Sequence, residues 1–363
     1  MQRDFRAVAN ECITRGHQVD IYVHTWQGDR LPGAQIHVLP VKGFFNHQRD
    51  WNFTQTLGEI AAQQHYDAIV GFNTMPHLDV HYAAGACYLR KAALNRRPLH
   101  WITTRHRNHS RQETAIFSPE SKTTILALCE QQIADFRSYY NTPLERFHIL
   151  PPWLNADRFP PPHVAQIRQD LRAQFNISDD EKWVLLVGSG FKLKGVDRAL
   201  LAVAALPETL RQKTKFFVIG QDNPKRYLHQ AATLGIKDQV RFLGGRSDVP
   251  HFMFAADLLL HPSYLENTGN VIIEALVAGL PVLTTDACGF APFVSQHQAG
   301  QVISAPFQQT ALNVALAELL THPEPQQLRD RALAFAQQHD FTAMPKLATD
   351  VIENVGKSKP RGL

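Results

Sequence analysis

The fold of this chain is decided by the stretch His261-Pro262-Ser263-Tyr264-Leu265-Glu266-Asn267-Thr268-Gly269-Asn270-Val271-Ile272-Ile273-Glu274-Ala275-Leu276-Val277-Ala278-Gly279-Leu280-Pro281-Val282. The apolar run at residues 257–260 just before it predicts a buried strand. A short polar loop leads to Gly269, and an apolar segment with helical spacing follows until Gly279 and Pro281 end it. The pattern predicts a strand, a loop, a helix and a second strand, as in an open α/β sheet.

Two carboxylates in this stretch are candidates for ligand binding. Glu266 lies in the predicted loop, and Glu274 lies about one turn inside the predicted helix. Both can face the crevice at the carboxyl end of the strand, where open α/β sheets bind ligands. A carboxylate accepts hydrogen bonds from sugar hydroxyls, and the free amides at Gly269 and Asn270 suit a phosphate. The pattern favours a nucleotide-sugar pocket, although a solvated loop residue and an ordinary first-turn glutamate would have the same spacing.

Length and composition indicate an ordinary globular protein of two domains. The chain has 363 residues, of which 19% are charged and 44% are hydrophobic, and its formal net charge is +4. The four cysteines form no CxxC pair and the 18 histidines form no metal-binding motif, so we expect neither disulfides nor a metal site. Because no segment approaches the ~18 apolar residues of a spanning helix and no signal-peptide core is present, we expect a cytoplasmic location.

Strand and helix patterns alternate through both halves of the chain, which predicts parallel sheets covered on both faces. The proline clusters at residues 151–152 and 160–162 suggest an interdomain linker. We therefore expect two Rossmann-like α/β domains, residues 1–150 and 151–340, with a cleft between them. A doubly wound domain begins with a strand and a turn, and neither pattern precedes the predicted first helix at residues 2–14.

Two more loops follow predicted strands of the second half. In Gly188-Ser189-Gly190-Phe191-Lys192-Leu193-Lys194-Gly195, glycines allow close backbone approach and two lysines add positive charge, which suits a diphosphate. The loop lacks the GxGxxG and Walker A spacings. After the next predicted strand but one, Gly244-Gly245-Arg246 can edge a base, on which Arg246 can stack. Either loop alone is also compatible with an ordinary turn, but three such loops at strand ends favour a nucleotide sugar.

Positive charge is concentrated in residues 88–111, here called the basic segment, which contains no Asp or Glu. Its basic residues and the tryptophan among them are Arg90, Lys91, Arg96, Arg97, Trp101, Arg105, Arg107 and Arg111. Basic and aromatic side chains together suit an anionic lipid surface, where each basic residue contributes ~1 kcal/mol. We favour a membrane or anionic acceptor, with a solvated face and nucleic-acid phosphates as the alternatives.

These loops belong to a longer set of matches. The chain resembles the retaining nucleotide-sugar glycosyltransferases of family 4, including members that act on lipopolysaccharide core. The matching residues are Gln2-Arg3-Asp4-Phe5, Gly71-Phe72-Asn73, Gln132-Ile133-Ala134-Asp135-Phe136, Ile149-Leu150-Pro151-Pro152, Lys194-Gly195-Val196-Asp197-Arg198 and Gly279-Leu280-Pro281-Val282-Leu283-Thr284-Thr285.

The resemblance implies a GT-B architecture, in which the C-terminal domain binds UDP-glucose, the N-terminal domain binds the acceptor, and a final helix at about 341–357 returns to the N-terminal domain. It implies that the acceptor is an inner-core heptose of lipopolysaccharide and that the basic segment attaches the enzyme to the anionic inner face of the inner membrane. It implies no metal, no other cofactor and no nucleic-acid partner. In the implied site, Glu266 binds the glucose hydroxyls and Asp4 is a second catalytic residue. The diphosphate is bound by Lys194, Lys192 and Gly188, with Gly269 and Asn270 at the helix start. Glu274 binds the ribose, Arg246 lies beside the uracil, and Arg158 lies in the cleft.

The chain departs from the family pattern at two places. Leu193 stands where relatives carry an arginine, and Lys192, which stands at a glycine of theirs, is expected to replace that charge, although a lysine cannot copy a bidentate arginine. Relatives also carry a strand and a Gly-Gly loop before the Gln-Arg-Asp-Phe helix, and we expect these to be missing here. The alternatives are a related transferase with another sugar or a capsule acceptor, and an inactive relative that binds a membrane or nucleic acid.

Overall fold

The computed structural model of the chain describes residues 2–41, 43–93 and 100–359. It divides into two compact units, an N-terminal unit of Met1–Trp153 with Phe341–Leu363 and a C-terminal unit of Leu154–Asp340. The sequence placed the first boundary at residue 150, three residues before the boundary of the units, which lies in the proline-containing segment. Arg96 and Arg97 of the basic segment lie outside the described residues.

The N-terminal unit contains a two-stranded and a four-stranded sheet, and every strand pairing in the described part of this unit is parallel. The sheet orders are β1-β2 and β3-β4-β5-β6. The elements are α1 (Gln2–Thr14), β1 (Val19–Val23), β2 (Ala34–Val38), α2 (Asn46–Gln63), β3 (Val70–Gly71), β4 (Val80–Tyr82), α3 (Tyr88–Ala93), α4 (Thr104–Phe117), β5 (Thr124–Ala127), α5 (Glu130–Tyr140), β6 (Phe147–Ile149) and α15 (Ala343–Ser358).

Successive residues of a strand point to opposite sides of the sheet. Both faces of the four-stranded sheet therefore carry apolar side chains, and helices cover both faces. Ile125 packs with Phe117 and Phe136 in one core. Its neighbour Leu126 packs with residues of α1 and α15 in the other core. The helix α15 is attached to the end of α1 through Arg15, the residue that follows α1, whose Nη1 atom lies 2.6 Å from the Asp350 carboxylate. The last helix of the chain is therefore part of the N-terminal unit.

The C-terminal unit contains a six-stranded parallel sheet with helices before and after its strands. The strand order is β12-β11-β10-β7-β8-β9, so successive strands are added outward in opposite directions from the β7–β10 pair. The elements are α6 (Val164–Gln174), β7 (Lys182–Val187), α7 (Val196–Ala204), α8 (Glu208–Gln212), β8 (Thr214–Ile219), α9 (Lys225–Thr233), β9 (Val240–Phe242), α10 (Val249–Ala255), β10 (Leu258–His261), α11 (Asn270–Val277), β11 (Val282–Thr285), α12 (Ala291–Gln296), β12 (Gly300–Ile303), α13 (Gln309–Leu320) and α14 (Pro325–Gln338).

Asp257 fastens the amino ends of β7 and β10. Its Oδ2 atom accepts a hydrogen bond of 2.8 Å from the Trp183 amide. Arg168 and Arg172 lie 2.6 and 3.1 Å from its carboxylate oxygens, and Arg329 reaches it from α14 at 3.3 Å. Burial alone would raise the pKa of Asp257, but the arginines and the amide hold it below its ordinary value. The carboxyl ends of the strands are the opposite edge, where the predicted loops lie.

Several elements of the N-terminal unit were not predicted from the sequence. The strand β4 has three residues, all buried, which is too short for a periodic pattern. The helix α4 buries His106, Gln112 and Glu113 beside its apolar residues, so its sequence has no clear apolar stripe. The apolar pattern of residues 51–64 predicts a helix there, and the observed helix α2 begins five residues earlier, at Asn46. In the C-terminal unit, α6 was missed after the proline cluster.

Candidate active site

The β7–α7 and β10–α11 loops meet at the topological switch point of the six-stranded sheet, where open α/β sheets bind ligands. Gly195 is the N-cap of α7 with φ +73°, and a Cβ atom there would lie 2.0 Å from the Pro262 carbonyl oxygen. The Tyr264 amide donates a hydrogen bond of 2.8 Å to the Leu193 carbonyl. Only glycine allows this approach, so the two loops form one surface.

Lys194 and Glu266 connect these loops through their side chains. The Lys194 ammonium donates a short hydrogen bond to Oε2 of Glu266. The two side chains are about one-fifth exposed, at 20% and 17%. Burial alone would raise the pKa of Glu266, but a hydrogen bond from His261 and the charge of Lys194 hold it at about 2. Glu266 is therefore an ionised acceptor throughout the physiological pH range.

Two glycines shape the backbone around this ion pair. Gly188 has φ +143°, and a Cβ atom there would lie 3.0 Å from Cε of Lys194. Gly269 is the N-cap of α11 with φ +77°, and its Cβ would lie 3.4 Å from Cγ of Glu266. Asn270 begins α11, and its side-chain oxygen accepts a hydrogen bond of 2.9 Å from the Thr268 hydroxyl. The predicted glycines and helix start thus adjoin the predicted lysine and glutamate.

Glu274 lies in the second turn of α11, one turn inside the helix as expected. Its Oε1 atom is 3.7 Å from Nε of Arg158, which is only 7% exposed. Asp157 lies at a similar distance from the same nitrogen, 3.6 Å. The structure therefore places the predicted Glu274 and Arg158 beside each other within the C-terminal unit.

Lys192 is bound by two residues that the sequence analysis gave no role. Its Nζ atom lies 2.7 Å from Oδ2 of Asp197 and 4.2 Å from the ring centroid of Tyr264. The Tyr264 hydroxyl donates a hydrogen bond of 2.9 Å to the same Asp197 oxygen. Burial would lower the pKa of Lys192, but Asp197 and Tyr264 raise it. An acidic residue in the first turn of a helix after a lysine-containing loop was the signal that could have identified this cluster.

Arg246 is engaged with its own loop. Its guanidinium donates two hydrogen bonds, of 2.8 and 2.7 Å, to the Asp248 carboxylate and lies 4.8 Å from the Phe252 ring centroid. The Asp248 carboxylate raises the pKa of Arg246 further. In this conformation the guanidinium of Arg246 orders the β9–α10 loop through its two hydrogen bonds and its ring contact. The place of Arg246 beside the uracil stays a prediction.

Asp4, the second predicted catalytic residue, lies in α1 of the N-terminal unit. Its neighbour in the sheet is Tyr82 of β4, which is 2% exposed. Burial and the Asp4 carboxylate together raise the pKa of Tyr82. Asp4 therefore lies against the sheet of its own N-terminal unit, whereas Glu266 belongs to the C-terminal unit.

The basic segment forms an exposed surface along α4 and the turn before it. Trp101 and Ile102 are 51% and 64% exposed, Arg105 and Lys91 are exposed, and Arg107 donates to the Ile102 carbonyl. Arg111 lies over the ring of Trp51 at 4.8 Å. A cavity of about 580 Å³ lies among Trp101, His106, Arg107, Ser110, Arg111, Thr114 and Ala115.

One predicted member of this surface is neutralised. Nη1 of Arg90 lies 2.5 Å from the Asp135 carboxylate of α5, so Arg90 is an ion-paired residue and contributes little net charge. The first acidic residue after the segment, Glu113, is 5% exposed and accepts hydrogen bonds from the Tyr88 amide and the Tyr140 hydroxyl. Because Glu113 faces inward, its carboxylate is not exposed beside the arginines of α4.

Two absences concern metals and membranes. Within residues 2–41, 43–93 and 100–359, no cluster of three or more His, Cys, Asp or Glu side chains is arranged to hold a metal ion. In the same part of the chain, no helix combines the length and the apolar character needed to cross a bilayer.

Two Rossmann-like units, the second with a glycine- and lysine-containing loop facing a glutamate at its switch point, define the GT-B class of glycosyltransferases. The model for glycosyl transferases group 1 matches residues 167–338, and the model for Glycosyltransferase Family 4 matches residues 1–158. The lipopolysaccharide glucosyltransferase WaaG of Escherichia coli (strain K12) is 40% identical over 353 residues, which cover 97% of this chain and 94% of WaaG. The chain belongs to this glycosyltransferase family, as its resemblance predicted, and is an enzyme of that class.

Solved structures agree with this assignment. A crystal structure of WaaG, described as a glycosyltransferase involved in lipopolysaccharide biosynthesis, superposes with a TM-score of 0.89 at 40% identity and covers 97% of this chain and 95% of that one. The sucrose-phosphate synthase of Thermosynechococcus elongatus has a TM-score of 0.78 at 18% identity, covering 98% and 93% of the two chains. Anabaena Alr3699/HepE, crystallised with UDP-glucose, has a TM-score of 0.69 at 17% identity, with 97% and 95% coverage. The last two show the fold alone, and the GT-B prediction is confirmed.

Proposed function

We propose that the chain transfers glucose from UDP-glucose to an inner-core heptose of lipopolysaccharide, with retention of configuration at the sugar. The observation that carries the proposal is the contact between Lys194 and Glu266 at the switch point. It puts a cation suited to a diphosphate beside a carboxylate suited to sugar hydroxyls, as UDP-glucose requires. The identity of 40% with a lipopolysaccharide glucosyltransferase along nearly the whole chain supports the choice of sugar and acceptor.

In the proposed reaction, the C-terminal unit binds the donor. Lys194, Lys192 and the amides at the start of α7 neutralise the diphosphate, while Glu274 accepts from the ribose and Glu266 from the hexose. The bond between glucose C1 and the β-phosphate oxygen breaks, and the acceptor oxygen joins C1 on the same face. The acceptor proton passes to the departing phosphate oxygen. These positive groups stabilise the charge that develops on UDP, so the reaction needs no metal.

We further propose that the enzyme works in the cytoplasm, attached to the inner face of the bacterial inner membrane. The supporting feature is the exposed surface of Trp101, Arg107 and Arg111. Arginines attract anionic headgroups, and tryptophan prefers the boundary between headgroups and acyl chains. A glycolipid acceptor would be presented at such a membrane surface. We propose no nucleic-acid partner.

The test is release of UDP from UDP-glucose by the purified chain, with and without deacylated core oligosaccharide. We expect rapid release only with the oligosaccharide, and loss of release in Glu266→Ala with the fold unchanged by circular dichroism. UDP-galactose, which differs from UDP-glucose at one hydroxyl, is the control donor. Undiminished release by Glu266→Ala, or binding of UDP without any release, would overturn the proposal.

A further inference from the structure

His261, the last residue of β10, lies directly behind Glu266. Its side chain is fully buried, with 0% exposure. Its Nε2 atom is 3.0 Å from the Ser263 hydroxyl oxygen and 3.5 Å from Oε2 of Glu266. The Thr284 hydroxyl donates a hydrogen bond of 3.0 Å to the His261 carbonyl, so a neighbouring strand fixes the backbone of this histidine. A polar side chain without solvent contact thus faces the carboxylate proposed to bind the sugar.

The contact determines which ring nitrogen carries a proton. An ionised carboxylate only accepts hydrogen bonds, and a lone pair on Nε2 would repel it. The proton therefore lies on Nε2, where Glu266 and the Ser263 oxygen share it. Burial would lower the pKa of His261, but Cys288 and Glu266 raise it above its ordinary value. Among the residues that the structure describes, the titratable and charged groups facing Glu266 are His261 on β10 and Lys194 on the β7–α7 loop, with Cys288 behind the histidine.

Lys194 and His261 both approach the same carboxylate oxygen of Glu266, Oε2. In the described part of the chain, the hydrogen bond to Oε1 is the long one of 3.3 Å from the adjacent Asn267 amide. Oε2 is thereby fixed from two sides, and Oε1 keeps lone pairs for a ligand. When a diphosphate competes for the Lys194 ammonium, His261 is the contact that continues to orient the carboxylate.

We propose that His261 is a positioning residue for glucosyl transfer: by donating from Nε2 to Oε2 of Glu266, it keeps that carboxylate oriented, with Oε1 toward the hexose hydroxyls. This inference rests on the proposed function of Glu266. It predicts that the histidine affects recognition of the glucosyl group and not of the nucleotide, because UDP lacks the hexose that Glu266 contacts.

The experiment compares His261→Leu and His261→Gln with the unaltered full chain. The measured quantities are kcat/KM for UDP-glucose, the Kd of UDP by calorimetry, and the pH profile of kcat/KM. We expect His261→Leu to lower kcat/KM by about 10- to 100-fold, as small misplacements of reacting groups do, while the Kd of UDP changes by no more than about twofold. His261→Gln, which keeps a donor, should restore part of the loss.

The pH profile separates orientation from a general structural defect. The pKa of Glu266 is held low against the effect of burial by His261 and Lys194. Losing the donor at position 261 raises that pKa, so the acid limb of kcat/KM should move to higher pH in His261→Leu and by less in His261→Gln. His81→Leu, which removes a buried histidine (3% exposed) of the N-terminal unit, is the control. It should lower stability without changing the ratio of UDP-glucose to UDP affinity.

The outcomes distinguish this inference from the function on which it rests. If Glu266→Gln is inactive while both His261 variants match the unaltered chain, the positioning role is wrong and the proposed function stands. Equal losses of UDP and UDP-glucose affinity in His261→Leu would likewise overturn it, in favour of a purely structural role. Full activity of Glu266→Gln would overturn the proposed function itself. Should His261→Leu fail to fold, equal losses of UDP and UDP-glucose affinity in His261→Gln are sufficient to reject the inference.

Discussion

Lys194 and Glu266 form an ion pair across 72 positions of sequence, between the loops that follow β7 and β10. The pair depends on the strand order, because β7 and β10 are neighbours only through a crossover that places their carboxyl ends side by side. A diphosphate that binds at the start of α7 competes with Glu266 for the ammonium. In the proposed reaction, donor binding therefore replaces one ion pair by another and leaves the carboxylate to the sugar.

Removing the Lys194 ammonium should impair turnover strongly. We expect Lys194→Met to lower kcat by about 100-fold or more, the typical effect of losing one group that stabilises a developing negative charge. UDP release from UDP-glucose in the presence of the core oligosaccharide measures it. The matched control is Lys213→Met, which removes a lysine paired with Asp180 at 2.8 Å where both side chains are more than half exposed. Comparable activities of the two variants would contradict the role of Lys194.

Lys192 should provide the charge that Leu193 does not. Because its side chain is 55% exposed and its ammonium is held by Asp197, we expect a moderate loss, about 10-fold in kcat/KM, for Lys192→Ala. Leu193 is 42% exposed, so an arginine fits there without repacking the core. The double variant Lys192→Ala with Leu193→Arg should recover most of the activity. A double variant no better than Lys192→Ala would show that Lys192 acts only through its contacts with Asp197 and Tyr264.

Most of the C-terminal unit could be predicted from the sequence because its four central strands, β11, β10, β7 and β8, are almost wholly buried. The strand β7 has four fully buried residues in a row, and the glycine loops follow such strands directly. The pairing of Lys194 with Glu266 could be expected only in outline, since it depends on the crossover order. Asp197 had a local signal, as an acidic residue in the first turn of α7. The role of Tyr264 in holding Lys192 could not be found, because a side-chain partner from a different loop leaves no periodic signal.

The N-terminal unit was less predictable because polar residues enter its core. Glu113 and His106 occupy the buried face of α4, where an amphipathic pattern requires apolar residues. The basic segment was interpreted as one charged run because a tertiary contact is not visible in the sequence. In the structure Arg90 is paired with Asp135 from another helix. Composition indicated the sign of this surface, and only tertiary contacts decide which of its charges are free of acidic partners.

Gly269 should be required for both stability and activity. A Cβ atom at φ +77° would be strained and would lie 3.2 Å from Cδ1 of Ile272 and 3.4 Å from Cγ of Glu266. We expect Gly269→Ala to destabilise the chain by about 1–2 kcal/mol and to displace Glu266. Gly235→Ala is the control, because Gly235 has φ +70° and no atom within 4 Å of such a Cβ. Urea unfolding should show strain in both variants, whereas only Gly269→Ala should lose transfer activity.

The α4 arginines should determine binding to anionic vesicles. We expect Arg107→Gln and Arg111→Gln each to weaken partitioning onto vesicles containing phosphatidylglycerol by about 1 kcal/mol, and the unaltered chain to dissociate at high salt. Arg90→Gln is the matched control, since Asp135 already neutralises Arg90. Sedimentation with vesicles at several salt concentrations gives the comparison. Binding that is insensitive to salt, or equally weakened by all three changes, would exclude electrostatic attachment through this surface.

Glu113 should make the stability of the chain depend on pH between its ordinary pKa and its pKa in the folded chain. Burial raises the pKa of this carboxyl from 4.5 to about 7, against the hydrogen bonds from Tyr140 and the Tyr88 amide. Below pH 4.5 the group is protonated in both the folded and the unfolded chain. As the pH rises to 7, the unfolded chain ionises it while the folded chain keeps the proton, so folding loses up to about 3 kcal/mol.

Glu113→Gln isolates this contribution, because it keeps the size of the side chain and one acceptor oxygen but does not titrate. Relative to that variant, the unaltered chain should become progressively less stable between pH 4.5 and 7, and the difference should level off above pH 7. Urea unfolding of both chains at half-unit steps of pH measures the difference directly. Parallel stability curves over this range would mean that Glu113 is already ionised in the folded chain, and that the two donors outweigh the cost of its burial.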